Sequence, residues 1–192
     1  MTGHNRVRII GGAWRSRIVR FPGRPGLRPT PDRVRETVFN WLGQDLTGKS
    51  VLDLYAGSGA LGFEAASRGA KRVVLVERDA ASVRALQANC SALDARQVDV
   101  VRADALEFIG RAGSEYDVIF LDPPFSQAPW AALLERLPDR LARDGRVYCE
   151  SGAPVAVPDG WTLHKQGHAG QVNFMLLKRT GHEPHRRISG DV

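Results

Sequence analysis

Short apolar runs alternate with helical segments from Ser50 to about residue 150, an order that few folds accommodate. The runs predict strands at 50–55, 72–77, 98–104, 116–122 and 146–150. The segments between them predict helices that end near residue 68 and that span 79–91, 105–111 and 130–141. Strands that alternate with helices in this way form a parallel sheet with helices on both faces. The predicted fold class is therefore α/β.

A hairpin is predicted near the C-terminal end of the chain. Residues 161–166 and 172–179 have the composition of strands, and residues 167–170 join them. This joint is short enough for an antiparallel hairpin. We expect the hairpin to add an antiparallel strand to one edge of the sheet.

The N-terminal residues predict a second, smaller hairpin. Residues 6–10 alternate between polar and apolar, Gly11-Gly12 is a turn signal, and 14–21 reads as the returning strand. Because side chains two apart on a strand share one face, Arg15 and Arg17 are expected on the same face.

A loop and a helix follow the small hairpin. Residues 22–29 are rich in proline and glycine and predict a loop. Thr30 has the character of a helix N-cap, Pro31 of a first helical residue, and Gly43 ends the helix. The predicted units are a basic appendage at 1–30, a main domain at 31–179 and a polar tail at 180–192.

Basic charge is concentrated at one end of the chain. The formal net charge is +6 for 192 residues, whereas the first 36 residues alone carry nine arginines against Asp32 and Glu36. The remaining residues are therefore close to neutral. A basic appendage on a nearly neutral domain is typical of proteins that bind a polyanion. The alternative is a solvated basic face that only aids solubility.

Composition argues against several other classes of protein. No run of 18 apolar residues occurs, so no membrane span is expected, and the first residues lack the apolar stretch of a signal peptide. Two cysteines, Cys90 and Cys149, and five histidines form neither a disulfide framework nor a metal-ligand set. We expect a cytoplasmic protein without a metal.

The first predicted strand leads into a glycine-rich turn. The segment that starts at Asp53 carries Gly57, Gly59 and Gly62 in the spacing G-x-G-x-x-G between a strand and a helix. Glycines there let the backbone turn tightly and approach a ligand closely. Glu77 ends the second strand, 20 residues after Gly57, where an acid can accept both hydroxyls of a ribose. These features alone predict a nucleotide or nucleoside site.

Two further acids refine the predicted ligand. Asp53, at the end of the first strand, would repel a pyrophosphate and attract a cation, such as the ammonium and sulfonium of S-adenosylmethionine. Asp104, at the end of the third strand, can accept a hydrogen bond from an adenine amino group. The alternative for both acids is helix N-capping. The candidate cofactor-binding residues are Asp53, Tyr55, Ala56, Gly57, Ser58, Gly59, Glu77, Arg78, Asp104, Ala105 and Asp122.

The tetrapeptide Asp122-Pro123-Pro124-Phe125 follows the fourth predicted strand. Its two prolines hold the backbone rigidly, which favours transfer to a poor nucleophile such as an aromatic amine. The Asp122 carboxylate and the Pro123 carbonyl can accept the two amine hydrogens, and Phe125 can stack on the base. We predict that Asp122, Pro123, Pro124 and Phe125 are the catalytic residues. A rigid structural turn is the alternative.

Several segments together resemble one family. They are RIIGGAWRSRIVRFP (8–22), LRPTPDRVRETVFNWL (27–42), VLDLYAGSGALGFEAASRGA (51–70) and DPPF. The chain resembles, from about residue 6 to 178, the RsmD family of class I S-adenosylmethionine-dependent methyltransferases. The resemblance implies a Rossmann-like, seven-stranded, mostly parallel sheet and methylation of guanine N2 in 16S ribosomal RNA. It further implies the assembled small ribosomal subunit as substrate; we expect a monomeric enzyme.

The resemblance places the basic appendage at the mouth of the active site. Arg8, Arg15, Arg17 and Arg28 are the candidate phosphate contacts, which would make binding salt-dependent. Trp14 either stacks on a base or covers the apolar side of the hairpin.

Three other functions are compatible with parts of the pattern. An adenine-N6 methyltransferase on DNA or RNA is the nearest, although such enzymes often carry Asn at the position of Asp122. An NAD-dependent oxidoreductase is disfavoured by Asp53 and by the DPPF segment. A non-catalytic RNA-binding assembly factor would not need DPPF.

Overall fold

The computed structural model describes residues 4–23, 29–111, 113–124 and 129–180. The strands are β1 (His4–Arg8), β2 (Ile18–Pro22), β3 (Ser50–Asp53), β4 (Arg72–Glu77), β5 (Val98–Arg102), β6 (Tyr116–Leu121), β7 (Leu141–Ser151), β8 (Trp161–Ala169) and β9 (Val172–Arg179). The helices are α1 (Asp32–Leu42), α2 (Ala60–Ser67), α3 (Ala80–Leu93), α4 (Ala105–Gly110) and α5 (Trp130–Arg136), with a 3-10 turn at Leu137–Arg140. The predicted tail after residue 180 lies outside the described residues.

The main sheet has seven strands in the order β5-β4-β3-β6-β7-β9-β8. The first five are parallel to one another, and β9 is antiparallel to both β7 and β8. This confirms the predicted α/β class and the mostly parallel sheet. The predicted seven strands and the antiparallel C-terminal hairpin are also confirmed: the second strand of the hairpin, β9, pairs with β7 and leaves β8 outermost.

Side chains of the parallel strands alternate between two apolar layers. Val51 and Phe120 face a layer that contains α1, α2 and the small N-terminal hairpin. Leu52 and Ile119 face the opposite layer, which contains α4 and α5. Burial on both faces explains why these strands read as continuous apolar runs.

The helix predicted over 130–141 is shorter in the structure. Helix α5 ends at Arg136 and continues as a 3-10 turn, and β7 begins at Leu141. Pro138 lacks the N–H that a helix interior requires, so it ends the α-helix. Arg140 is only 4% exposed, and its guanidinium donates to the carbonyls of residues 108, 111 and 114.

The small hairpin pairs β1 with β2 in an antiparallel register. The prediction of a strand over 14–17 is wrong, since β2 begins only at Ile18. Ser16 has a φ of 71°, outside the β region. The Ala13 N–H donates to the carbonyl of Ser67 over 2.7 Å and so binds the segment to α2 instead. Arg15 and Arg17 therefore do not share a strand face.

One capping prediction is also wrong. The N-cap position of α1 is Pro31, with no side-chain capping bond, and the Thr30 hydroxyl donates elsewhere, to Asp122. Gly43 ends the helix as predicted, with a φ of 101° and an N–H that donates to the carbonyl of Phe39.

Candidate active site

Each parallel strand of the sheet brings a carboxylate to the same edge. Asp53 and Glu77 are the last residues of β3 and β4. Asp122 directly follows β6, Asp104 lies two residues beyond β5, and Glu150 is the penultimate residue of β7. The carboxyl ends of parallel strands form the edge at which open α/β sheets bind ligands. Asp53, Glu77, Asp104 and Asp122 were predicted there; Glu150 was not.

The glycine loop is held in shape from both sides. The Gly57 N–H donates to Glu77 Oε2 over 3.0 Å, and the Asp79 N–H donates to Glu77 Oε1 over 2.8 Å. Gly59 caps α2 with a φ of 79°, and a Cβ there would lie 2.6 Å from the Phe63 ring. Glu77 therefore shapes the loop, and each of its oxygens retains a second lone pair for a ligand hydroxyl.

Asp53 anchors the start of α2 beside this loop. The residue is 2% exposed, and its Oδ2 accepts from the Gly62 N–H over 3.1 Å. A Cβ on Gly62 would lie 2.1 Å from Leu75, so only glycine permits this approach. Burial raises the pKa of Asp53 to about 7, with a contribution from Glu77, while the backbone N–H groups of Gly62 and Tyr55 oppose the shift. The carboxylate is thus a desolvated acceptor beside the loop.

Asp104 is a helix N-cap, the alternative noted for it from the sequence. Its Oδ1 accepts from the N–H groups of Leu106 and Glu107 over 2.9 and 3.3 Å, and the residue is exposed. Asp53 is not an N-cap, because Gly59 occupies that position of α2. Burial raises the pKa of Tyr55 to about 12, with Asp104 adding to the shift and Arg78 opposing it. Tyr55, Arg78 and Asp104 therefore lie close enough to interact.

Three other predicted cofactor residues are buried near the same edge of the sheet. The Ala56 N–H donates to the carbonyl of Val76 over 2.9 Å, which ties the loop to β4. The Ser58 hydroxyl accepts from the Ala60 N–H over 3.3 Å. Ala56, Ser58 and Ala105 are all buried.

Asp122 lies at the end of β6 with its carboxyl group desolvated. Its Oδ2 accepts a long hydrogen bond, 3.4 Å, from the Thr30 hydroxyl, and Thr30 itself is 3% exposed. Burial raises the pKa of Asp122 well above its usual range, and the neighbouring carboxylates of Glu150 and Asp53 raise it further. Asp122 as a whole residue is only half-buried, so a ligand can reach it from the open edge of the sheet.

The prolines beside Asp122 differ in environment. Pro123 is buried and Pro124 is exposed. Phe125, the predicted stacking residue, lies outside the described residues. Glu150 completes this part of the site, and the sequence held one signal for it: like the other parallel strands, the run 146–150 carries an acid at its end.

One of the N-terminal arginines, Arg35, is buried, unlike the exposed arginines of the hairpin. Arg35 has a fully buried side chain that pairs with Glu64 over 3.1 Å and with Asp32 over 2.6 Å. Its guanidinium also donates to the carbonyls of Arg8 and Thr30. Arg35 is therefore structural, although it is one of the nine arginines that make the first 36 residues basic.

The predicted RNA contacts lie at two places along the hairpin. The Trp14 N–H donates to Ser67, the last residue of α2, and Arg17 donates to the carbonyl of Ala92 near the end of α3. Both helices begin at the ligand edge, so this turn lies at their far end, away from the site mouth where it was expected. The Trp14 side chain packs against the core. Arg28 lies outside the described residues.

Outward side chains of the hairpin strands carry uncompensated charge. Arg6 on β1 lies directly opposite Arg20 on β2, and both are exposed. Arg8 is exposed two residues further along β1. The described part of the chain contains no ion pair to any of these three arginines.

Comparison with known proteins assigns the chain to a family. The family model described as Conserved hypothetical protein 95 matches residues 7–178. Ribosomal RNA small subunit methyltransferase D of Escherichia coli K12 is 42% identical over 184 residues, which cover 93% of this chain and 92% of that protein. The chain belongs to the RsmD family. The protein of the same name from Haemophilus influenzae is 39% identical, over 90% of this chain and 93% of its own.

Solved structures support the assignment of this RsmD family member. The Escherichia coli protein yhhF superimposes with a TM-score of 0.82 at 42% identity, over 91% of this chain and 98% of that chain. A Haemophilus influenzae methylase structure gives 0.78 at 34% identity, over 92% and 100%. The predicted family, the Rossmann-like methyltransferase fold and the methyltransferase class of enzyme are thereby confirmed.

Two kinds of feature do not occur among the described residues. None of the helices there has the length and apolarity to cross a bilayer. Nor does any group of three or more His, Cys, Asp and Glu side chains there form a metal site.

Proposed function

We propose that this RsmD family member transfers the methyl group of S-adenosylmethionine to the N2 amino group of a guanine in 16S ribosomal RNA. The observation that carries the proposal is the desolvated Asp122 carboxyl at the end of β6, next to the glycine loop and Asp53 on β3. The curated relatives are named for methylation of small-subunit ribosomal RNA, which supports the substrate class.

The residues at the edge fit S-adenosylmethionine. The site contains a glycine loop with φ values of 50° and 79° at Gly57 and Gly59, and a buried carboxylate at Asp53 with no cationic side chain bonded to it in the described residues. A cation fits such a carboxylate better than a phosphate does. We propose that Asp53 faces the cationic end of the cofactor, Glu77 the ribose, and Asp104 with Tyr55 the adenine. The bound cofactor supplies an electrophilic methyl group on a sulfonium.

Asp122 and Pro123 then prepare the amine. The Asp122 carboxylate and the Pro123 carbonyl accept the two N–H hydrogens, which favours a tetrahedral nitrogen with an available lone pair. Rigid placement by the two prolines lowers the barrier by up to about 7–11 kcal/mol in ideal cases. With the cofactor bound, the nitrogen would form a bond to the methyl carbon as the carbon–sulfur bond breaks, and the electron pair of that bond would stay on sulfur. The surplus proton on nitrogen passes to the Asp122 carboxylate.

The exposed face of the N-terminal hairpin supplies the RNA contact. Arg6 and Arg20 face each other across the strands, a pairing of like charges that costs stability unless a polyanion neutralises it. Together with Arg8 they form a basic face. Arg35 donates to the carbonyls of both Arg8 and Thr30, so this face lies near the segment that holds Asp122. Arg15 and Arg17 extend this face to the far end of α3. A guanine inside folded RNA has to be extruded to reach Asp122.

We further propose the physiological setting. The protein acts as a monomer in the cytoplasm on the assembled small ribosomal subunit, as the family resemblance implies. An extended basic face suits a structured particle, since it can contact phosphates at a distance from the target base.

Replacing Asp122 tests the assignment of the catalytic carboxylate. Asp122→Ala should lower the rate of methyl transfer by about 10²–10⁴-fold, because the amine loses its proton acceptor. Calorimetry should show that the variant still binds S-adenosylhomocysteine within a few fold of the parent protein. Asp99→Ala, an exposed carboxylate on β5, is the matched control and should retain full activity. Transfer that survives in Asp122→Ala would disprove the catalytic role.

A further inference from the structure

Glu150 lies beside the proposed catalytic carboxylate. Strands β6 and β7 are parallel neighbours, with Leu121 opposite Cys149, so the next pair along the register is Asp122 and Glu150. Side chains alternate along a strand, which places Tyr148 and Glu150 on one face of β7. The topology therefore brings two acids together at the edge where the methyl transfer is proposed.

Each acid of this pair accepts a hydrogen bond from a hydroxyl group. The Tyr148 hydroxyl donates to Glu150 Oε2 over 2.8 Å, and the Thr30 hydroxyl donates to Asp122 Oδ2 over 3.4 Å. The Thr30 hydroxyl also lies close enough to Glu150 to lower the pKa of that carboxyl. Thr30 is fixed in turn, since its carbonyl accepts from Arg35 Nε over 3.2 Å. Glu150 thus lies near the same hydroxyl that holds Asp122.

The pair is enclosed and has no cationic partner. Glu150 is 3% exposed, and no Lys or Arg in the described residues donates to Glu150 or to Asp122. Burial raises the pKa of both carboxyls, and the charge of Glu150 raises that of Asp122 further. Two desolvated acids at neighbouring strand positions resist being ionised together, so over part of the pH range they carry one proton between them. The groups facing the pair are Asp53 from β3, Thr30 from the segment before α1, Tyr148 from β7 and Phe174 from β9.

A purely structural role would not require an acid at this position. Tyr148 packs against Phe120 and Phe174 with ring centroids 6.0 and 6.5 Å apart, so the strand is already fixed by aromatic contacts. A buried ionised carboxylate costs several times more free energy than an amide of the same shape. Glutamine would accept the Tyr148 hydrogen bond equally well, which makes the acid itself the feature to be explained.

We propose that Glu150 is a positioning residue for the proposed methyl transfer: held by Tyr148 on the strand next to Asp122, it governs which of the two neighbouring carboxyls carries the proton. With the shared proton on Glu150, Asp122 is an anion that can accept the amine hydrogens. With the proton on Asp122, that acceptor is lost. The inference rests on the proposed role of Asp122, but the arrangement of the two acids can be tested without activity.

The test compares the parent protein with Glu150→Gln. The carboxyl carbon of Asp122 is titrated by ¹³C NMR, and kcat is measured against pH at saturating S-adenosylmethionine. Removal of the Glu150 charge should move the Asp122 titration and the acidic limb of kcat to lower pH by about one unit or more. Affinity for S-adenosylhomocysteine should stay within about twofold.

Two further variants keep the test decisive. Tyr148→Phe removes a hydrogen bond that favours the Glu150 anion, so it should shift the same titration in the same direction by a smaller amount, even if Glu150→Gln does not fold. Cys149→Ala changes the same strand on its opposite face and should leave the titration in place. An Asp122 titration that is unmoved in both Glu150→Gln and Tyr148→Phe overturns the inference. A parent protein that transfers no methyl group, but whose Asp122 titration shifts as expected, would instead refute the proposed function alone.

Discussion

Asp53 combines a structural task with the task proposed for it in binding. Its Oδ2 accepts the Gly62 N–H and so fixes the entry into α2, while its charge lies beside the glycine loop. Burial raises the pKa of this carboxyl to about 7, so the group changes charge near neutral pH. A ligand with a cationic end binds the ionised form more tightly, and affinity is therefore linked to pH.

The pH dependence of cofactor-product binding follows from this linkage. Between pH 6 and pH 8 the ionised fraction of Asp53 rises about tenfold, so affinity for S-adenosylhomocysteine should rise by up to about tenfold. Calorimetry at several pH values checks the expectation. Asp53→Asn should bind weakly with a flat profile, whereas Asp99→Asn should retain the rise. A flat profile in the parent protein would contradict the proposed role of Asp53.

Among the individual site residues, the sequence predicted those that follow a recognisable local pattern. Asp53, Glu77 and Asp122 each stand at a fixed distance from a glycine or proline motif. Glu150 has no such neighbour, and its importance depends on β7 lying next to β6, which only the folded sheet establishes. Thr30 was misread as a cap because its partner, Asp122, is 92 residues away.

Among the secondary-structure elements, the buried Arg35–Glu64 pair joins the hairpin to the main domain. Glu64 accepts from the N–H groups of Ile10 and Gly11 over 2.9 and 2.8 Å, and it also pairs with Arg68. Arg35 donates to the carbonyl of Arg8 in β1. The hairpin, α1 and α2 are therefore joined by one buried ionic cluster. The same cluster contacts Thr30 through the Arg35 guanidinium.

Removal of the arginine from this cluster should be costly. Arg35→Met leaves Glu64 buried with only Arg68 as a charged partner and should lower the free energy of unfolding by about 3–5 kcal/mol. Arg72→Met breaks the exposed pair with Asp99 and should cost no more than about 1 kcal/mol. Urea unfolding of both variants gives the comparison. An equal decrease in the free energy of unfolding in the two variants would show that the buried cluster does not stabilise the attachment of the hairpin.

Prediction of the elements succeeded where the pattern was local. The alternation of apolar runs and helices located all five parallel strands, because burial on both faces demands continuous apolar residues. The turn at 14–17 was misread as strand, since the Trp14 N–H donates to Ser67 and Ser16 has a positive φ of 71°. The sequence could not predict that β9, and not β8, pairs with β7. The residue pattern of either strand of the C-terminal hairpin is compatible with that pairing.

The molecule as a whole divides its charge between two surfaces. Carboxylates line the edge of the sheet, and exposed arginines line the hairpin that leads to it. The basic face attracts the RNA backbone, while the acidic edge is suited to a cationic cofactor and to an amine. The net charge of +6 therefore understates the local field at the hairpin.

Salt dependence measures the contribution of the basic face. The triple variant Arg6→Gln/Arg8→Gln/Arg20→Gln should weaken binding to 16S RNA and make the slope of log K against log salt less steep by about 2–3, roughly one unit for each phosphate that is no longer neutralised. The double variant Arg72→Gln/Arg96→Gln removes exposed arginines that are already paired with acids and should leave the slope almost unchanged. An unchanged slope in the triple variant would remove the hairpin from the RNA-binding surface.

Nucleoside analysis of methylated RNA tests the proposed function most directly. Small ribosomal subunits without the modification are incubated with the protein and S-adenosylmethionine carrying an isotopically labelled methyl group, and the digested RNA is analysed by mass spectrometry. We expect labelled N2-methylguanosine in 16S RNA from the parent protein and none from Asp122→Ala. Labelled N6-methyladenosine, or no labelled nucleoside from the parent protein, would contradict the proposed function.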